Sequence, residues 1–88
     1  MNDSEIQSLI GEAVAFAEPR LAGASLKPKD TIAELGINSI SVLEIVGYLE
    51  DKLGIRFPDD ELAQLNTIGG LTDLIRGHGV AAQPAQKP

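Results

Sequence analysis

Ser39-Ile40-Ser41-Val42-Leu43-Glu44-Ile45-Val46-Gly47-Tyr48-Leu49-Glu50-Asp51-Lys52-Leu53 is the stretch on which the fold turns. It holds no proline, and Gly47 is its one glycine. Gly54 follows where a helix cap is expected, so the stretch reads as a helix of about four turns. Val42, Ile45, Val46, Leu49 and Leu53 recur at helical spacing and form a stripe that must face a core. Ile40 and Leu43, with Gly47 completing their row, fall on roughly the opposite side at about 100° per residue, bordered by Glu44, Glu50 and Asp51. One apolar stripe is enough to fold a helix in a small domain. The second needs another reason.

Working outward toward the N-terminus, Gly36 stops whatever precedes this helix, and Asp30 to Leu35 has room for a short helical turn. Arg20 to Lys29 carries Gly23, Pro28 and scattered Leu21 and Leu26 without a period. It reads as a long loop laying both leucines over the core. Before it, Ser4 and Gln7 have capping-box spacing, and Ile6, Leu9, Ile10, Ala13, Val14 and Ala17 repeat as one helix face ending near Pro19. Toward the C-terminus, Ile55 to Pro58 is a connection with Phe57 turned inward, and Asp59-Asp60-Glu61-Leu62 opens a short third helix with its acids at the positive end. The same acids lack the spaced ligands and glycine of a calcium loop. Thr67 caps a last helix bearing Ile68, Leu71, Leu74 and Ile75, ended by Gly77 and Gly79. No strand pattern competes and no repeat is present. The expected fold is all-α, a four-helix bundle of three longer helices and a short helix three, with a long loop between helices one and two.

The whole chain has 88 residues, 43% of them apolar and 3% aromatic. That is one domain with a modest aliphatic core and no room for a deep catalytic cleft. We expect residues 1–77 to form the domain and 78–88 a flexible tail, since Val80 to Pro88 has nothing to bury. Without cysteine the chain has no disulfide, thiol nucleophile or thiolate metal site. His78, flanked by Gly77 and Gly79, has no second histidine to join it on a metal and nothing to orient it as a base for Ser39, so it reads as a helix-end residue. The net charge of −6 argues against nucleic acid. Between Glu34 and Glu61 seven acids face two bases, Lys52 and Arg56. That bias suits a basic protein surface, or serves solubility alone. The polar start and short apolar runs lead us to expect a cytoplasmic protein with no membrane insertion, and we expect a monomer.

Glu34-Leu35-Gly36-Ile37-Asn38-Ser39-Ile40 with Glu44-Ile45 resembles the phosphopantetheine attachment motif of acyl and peptidyl carrier proteins. Phe57-Pro58-Asp59 and the segment from Thr67-Ile68 to Leu74-Ile75 resemble the family's later motifs, so the likeness runs from about residue 4 to 76. The resemblance implies a carrier, not an enzyme. It implies that a phosphopantetheinyl transferase attaches 4'-phosphopantetheine covalently to Ser39 and that the thiol of this arm carries acyl, aminoacyl or polyketide groups as thioesters. Independently, Ser39 opens a helix, where a phosphodiester is stabilised by the dipole. Local sequence also allows Ser39 or Asn38 to be an N-cap and nothing more.

The resemblance further implies that loading and synthase enzymes dock on helix two through Ile40, Leu43, Glu44, Gly47, Glu50 and Asp51. The alternative is that Ile40 and Leu43 pack beneath the Arg20 to Lys29 loop. Asn38 stands where family members commonly have aspartate, and Ser41 where fatty-acid carriers often have another acid. Both changes remove charge from the transferase-facing end and point toward specialised polyketide, nonribosomal peptide or fatty-acid-like pathways. Two other functions are weighed: a carrier-like interaction module that is never loaded, and a serine hydrolase, for which the chain offers no base.

Overall fold

Apolar periodicity and caps combine into four α-helices, α1 (Asp3–Ala17), α2 (Ser39–Leu53), α3 (Asp59–Ala63) and α4 (Ile68–Ile75), in a computed structural model that describes residues 2–77. The all-α expectation holds. The long connection between α1 and α2 contains one 3-10 turn, Pro19–Leu21, and Leu21 and Leu26 pack from it against the core. No helix among the described residues is long and apolar enough to cross a membrane.

The core joins the predicted stripes. Ile6, Leu9, Ile10, Ala13 and Val14 of α1 meet Ile45, Val46 and Leu49 of α2 and Ile68, Leu71, Leu74 and Ile75 of α4, with Phe57 buried beside them. Val42 and Leu53 lie at the edge of this cluster, half-buried. Ile32 and Ile37, which have no helical period to mark them, are buried as well.

Thr67 accepts from Gly70 N at 3.1 Å, and Gly54 closes α2 in the left-handed conformation, both as the sequence suggests. The start of α1 differs. Its N-cap is Asn2, whose Oδ1 accepts from Glu5 N while Glu5 Oε1 accepts from Asn2 N, each at 2.9 Å. Ser4 therefore lies inside the first turn and Ser4/Gln7 is not the capping box. Both pairs have the right spacing, and the earlier one lengthens the helix by two residues and places Asp3 as well as Glu5 in its first turn, at the dipole's positive end. Arg76, just past α4, pairs with Asp3 and so ties the end of α4 to the start of α1. The α-helical part of α4 closes at Ile75, and a π-type turn continues it through Arg76 and Gly77. Gly79, His78 and the tail 78–88 lie outside the described residues.

The long loop is stitched to the start of α4. Thr31 and Thr67 form an antiparallel bridge, Ile32 N donates to Asn66 O, Ile68 N to Asp30 O and Gly69 N to Pro28 O, all within 2.8–3.0 Å. These bonds satisfy backbone groups that a loop over a core would otherwise leave buried and unpaired.

Truncation at the centre of this core should cost far more than truncation on the outer face of α2. Leu49→Ala is expected to lose about 2–5 kcal/mol and Leu43→Ala less than about 0.5 kcal/mol, as read from urea denaturation midpoints.

Candidate functional site

The N-terminus of α2 is built by Asn38 and used by Ser39. Asn38 is extended and its Oδ1 accepts from Ser41 N at 2.8 Å, which makes it the N-cap. Ser39 is thereby freed from capping. It is exposed, and its hydroxyl has no hydrogen-bond partner among the described residues. Val42 N already donates to Asn38 O. The Ser39 and Ile40 N–H groups are the remaining first-turn donors, directed with the dipole toward the helix's positive end.

The approach to Ser39 is held from several sides. Ile37 is buried and its N–H donates to Ile32 O at 3.2 Å. With Ile37 pointing into the core, the chain delivers Ser39 to the surface. Arg20 Nη2 donates to Leu35 O at 2.8 Å and to Gly36 O at 3.0 Å, and Arg20 Nε lies 3.3 Å from Glu18 Oε1. The other Glu18 oxygen accepts from Ser41 Oγ at 2.6 Å. Gly36 has φ 77°, a backbone conformation that favours glycine, and a Cβ there would come within 2.6 Å of Arg20 Nη2 and displace the guanidinium.

Ser41 consequently does not face a partner. It is 6% exposed, turned toward α1, so its substitution for an acid alters internal packing and removes no surface charge. Its position on the helical wheel, next to the core stripe, could have shown this. Its partner Glu18, distant in sequence, could not be found that way. Arg20 was likewise invisible as a site residue, because nothing periodic marks a side chain in an irregular loop.

Ser39 also borders a groove of about 440 Å³ between α2 and α3, walled by Val42, Leu43 and Val46 on one side and Leu62, Ala63 and Leu65 on the other, with Asp59 at its rim. Beyond it, Ile40 and Leu43 are 70% and 68% exposed. They do not pack beneath the Arg20 to Lys29 loop. Glu44, Gly47 and Asp51 are exposed around them. Glu50 departs from the expected border. It is turned inward, its Oε2 accepting from Phe57 N at 2.8 Å and lying 3.7 Å from Arg56 Nε. The turn at Gly54 brings the Phe57 amide back to the helix, and Glu50 is within reach.

The family described as phosphopantetheine attachment site matches residues 5–75. An acyl carrier protein of Myxococcus xanthus is 38% identical over 61 residues, 68% of this chain and 77% of that one. An acyl carrier protein of Acidothermus cellulolyticus is 41% identical over 49 residues, 56% of this chain and 58% of its relative. Glycine betaine reductase ATRR of Emericella nidulans is 37% identical over 75 residues, 81% of this chain but 6% of the reductase. No solved structure matches.

Asn38→Ala should lower stability by about 1 kcal/mol through loss of the cap, with Asn38→Asp close to wild type. Ser41→Asp should cost at least as much as the alanine variant, because it sets a second carboxylate against Glu18 in a buried position. Chemical denaturation of the three variants beside wild type measures the order; equal losses for Asn38→Ala and Asn38→Asp would remove the cap from the account.

Proposed function

The chain belongs to the phosphopantetheine attachment-site family, and on that footing we propose that it is an acyl carrier protein with its 4'-phosphopantetheine arm on Ser39. The observation that carries this reading is the Ser39 hydroxyl, exposed at the first position of α2 and relieved of capping by Asn38. Loading forms a bond from the Ser39 oxygen to the pantetheine-bearing phosphorus of coenzyme A. The pyrophosphate P–O bond breaks, adenosine 3',5'-bisphosphate leaves, and the hydroxyl proton passes to a base of the transferase.

The site's chemistry fits such a group. A phosphodiester on Ser39 is anionic, and the N-terminal end of a 15-residue helix supplies a positive dipole and unpaired N–H donors. The groove beside Ser39 offers apolar wall to an arm or its cargo. When attached, the arm's thiol holds an acyl or aminoacyl group as an activated ester, kept at high effective concentration for enzymes that meet it. The protein's own residues orient and present the arm, so we assign it the part of substrate and shuttle, not catalyst. The carrier domain corresponds to residues 1–77, with 78–88 as tail.

Partner enzymes, the transferase first among them, are assigned to the outer face of α2. Ile40 and Leu43 supply desolvating apolar surface and Glu44 and Asp51 steer basic surfaces toward it. Asn38 leaves the transferase-facing end without the usual aspartate charge, which supports a specialised polyketide, nonribosomal peptide or fatty-acid-like pathway.

Incubation with coenzyme A and a phosphopantetheinyl transferase should raise the intact mass by one phosphopantetheine, mapped to Ser39 by peptide fragmentation and missing in Ser39→Ala. A wild-type chain left unmodified by transferases of several pathways would instead assign the protein as an interaction module. In the same assay Leu43→Asp should slow loading while leaving the denaturation midpoint near wild type, and added salt should slow wild type as it screens Glu44 and Asp51.

A further inference from the structure

Resting on the assignment of Ser39 as the attachment point, we propose that Arg20 is a positioning residue for loading: its guanidinium holds the peptide planes of Leu35 and Gly36 and so sets the direction in which the chain delivers Ser39 to the transferase.

The segment between Leu35 and Ser39 belongs to no regular element. Ile37 fixes its side chain in the core and Asn38 fixes its junction with α2. The orientation of the Leu35 and Gly36 carbonyls is left to other groups, and both accept from Arg20 Nη2. Gly36 takes a left-handed φ of 77° here, with the guanidinium occupying the space that a side chain would need. Arg20 is itself held from behind. Its Nε faces Glu18 Oε1, Glu18 Oε2 accepts from Ser41 Oγ, and Ser41 N donates to Asn38 Oδ1. The chain of contacts starts at Leu35 and Gly36 and returns to Asn38, closing around Ile37 and enclosing both flanks of Ser39.

Two features separate this role from a contribution to folding. The Arg20 side chain is 53% exposed, and exposed ion pairs and hydrogen bonds add little to global stability. The polar contacts of the ring run through Arg20, Glu18, Ser41 and Asn38, whereas the side chains assigned to docking, Ile40 and Leu43, are exposed on the outer face of α2, so encounter with the transferase should depend little on Arg20. Its loss should therefore appear in the chemical step. Lysine also carries three donors, but on a flexible stem without the planar fork that serves Glu18 and two carbonyls together.

The test uses the full chain without its arm, coenzyme A and a transferase that loads wild type, with initial rates from intact mass over a range of carrier concentrations. Arg20→Ala should lower kcat roughly 10-fold with KM for the carrier within about twofold of wild type, and Arg20→Lys should recover part of the loss. The amide resonances of Gly36, Ile37, Asn38 and Ser39 should shift in Arg20→Ala while those of α4 stay in place. Wild-type kcat in Arg20→Ala overturns the proposal, and so does a loss of rate accompanied by raised KM and amide shifts throughout the core, which marks general unfolding. A wild-type chain that no transferase loads overturns the Ser39 assignment itself; a loaded wild type with an equally loaded Arg20→Ala overturns the role of Arg20 alone.

Discussion

The two oxygens of Glu18 divide between two partners: Oε2 accepts from the Ser41 hydroxyl at 2.6 Å and Oε1 faces Arg20 Nε at 3.3 Å. Glu18 caps the C-terminal end of α1 and Ser41 lies in the first turn of α2. One carboxylate thus joins the end of one helix to the beginning of the next, across a connection that has little regular structure. Ser41 is nearly inaccessible to water, and an unpartnered hydroxyl there would carry a desolvation cost of about 1–3 kcal/mol. The Glu18 bond removes that cost and also fixes the level at which α2 starts against α1. With that level set, the buried Ile37 and the capping Asn38 leave Ser39 one direction to face.

Helix α2 serves three surroundings with three sectors. Ile45, Val46 and Leu49 face the core, Ser41 and Tyr48 face α1, and Ile40 with Leu43 faces outward. The α1 side is finished by polar contacts, since Tyr48 OH donates to Glu12, the Phe16 ring lies against Tyr48 and Lys52 sits over the same ring. Ile40 and Leu43 have no such completion. Exposed leucine or isoleucine is ordinary singly, but here two lie on one face beside an open groove and an exposed serine.

Much of this was legible in the residues alone. The stripes of α1, α2 and α4, the cap at Thr67, the stop at Gly54 and the inward turn of Phe57 all follow from spacing and local chemistry, which depend on neighbours within a turn or two. Two readings failed for the opposite reason, and a third through an ambiguity that is itself local. Glu50 occupies a border position on the helical wheel, and its inward turn depends on a Phe57 amide brought back by the chain reversal. Ser41 could be placed beside the core but not paired, because Glu18 lies 23 residues earlier. Asn2 and Ser4 offered equivalent capping registers, and nothing local decides between them. Arg20 is the extreme case: its partners are backbone carbonyls 15 and 16 residues away, and carbonyls have no sequence signature.

The contact between Asp3 and Arg76 bears on how such a unit could be threaded into something longer. It joins the beginning of α1 to the end of α4, whereas Ser39 sits near the opposite end of α1, beside Glu18. A 15-residue helix spans about 22 Å, so the described chain enters and leaves at one pole and exposes Ser39 at the other. Entry and exit side by side let such a unit project sideways from a longer chain as a pendant. In the reductase of Emericella nidulans a segment similar to this one makes up 6% of a far longer chain.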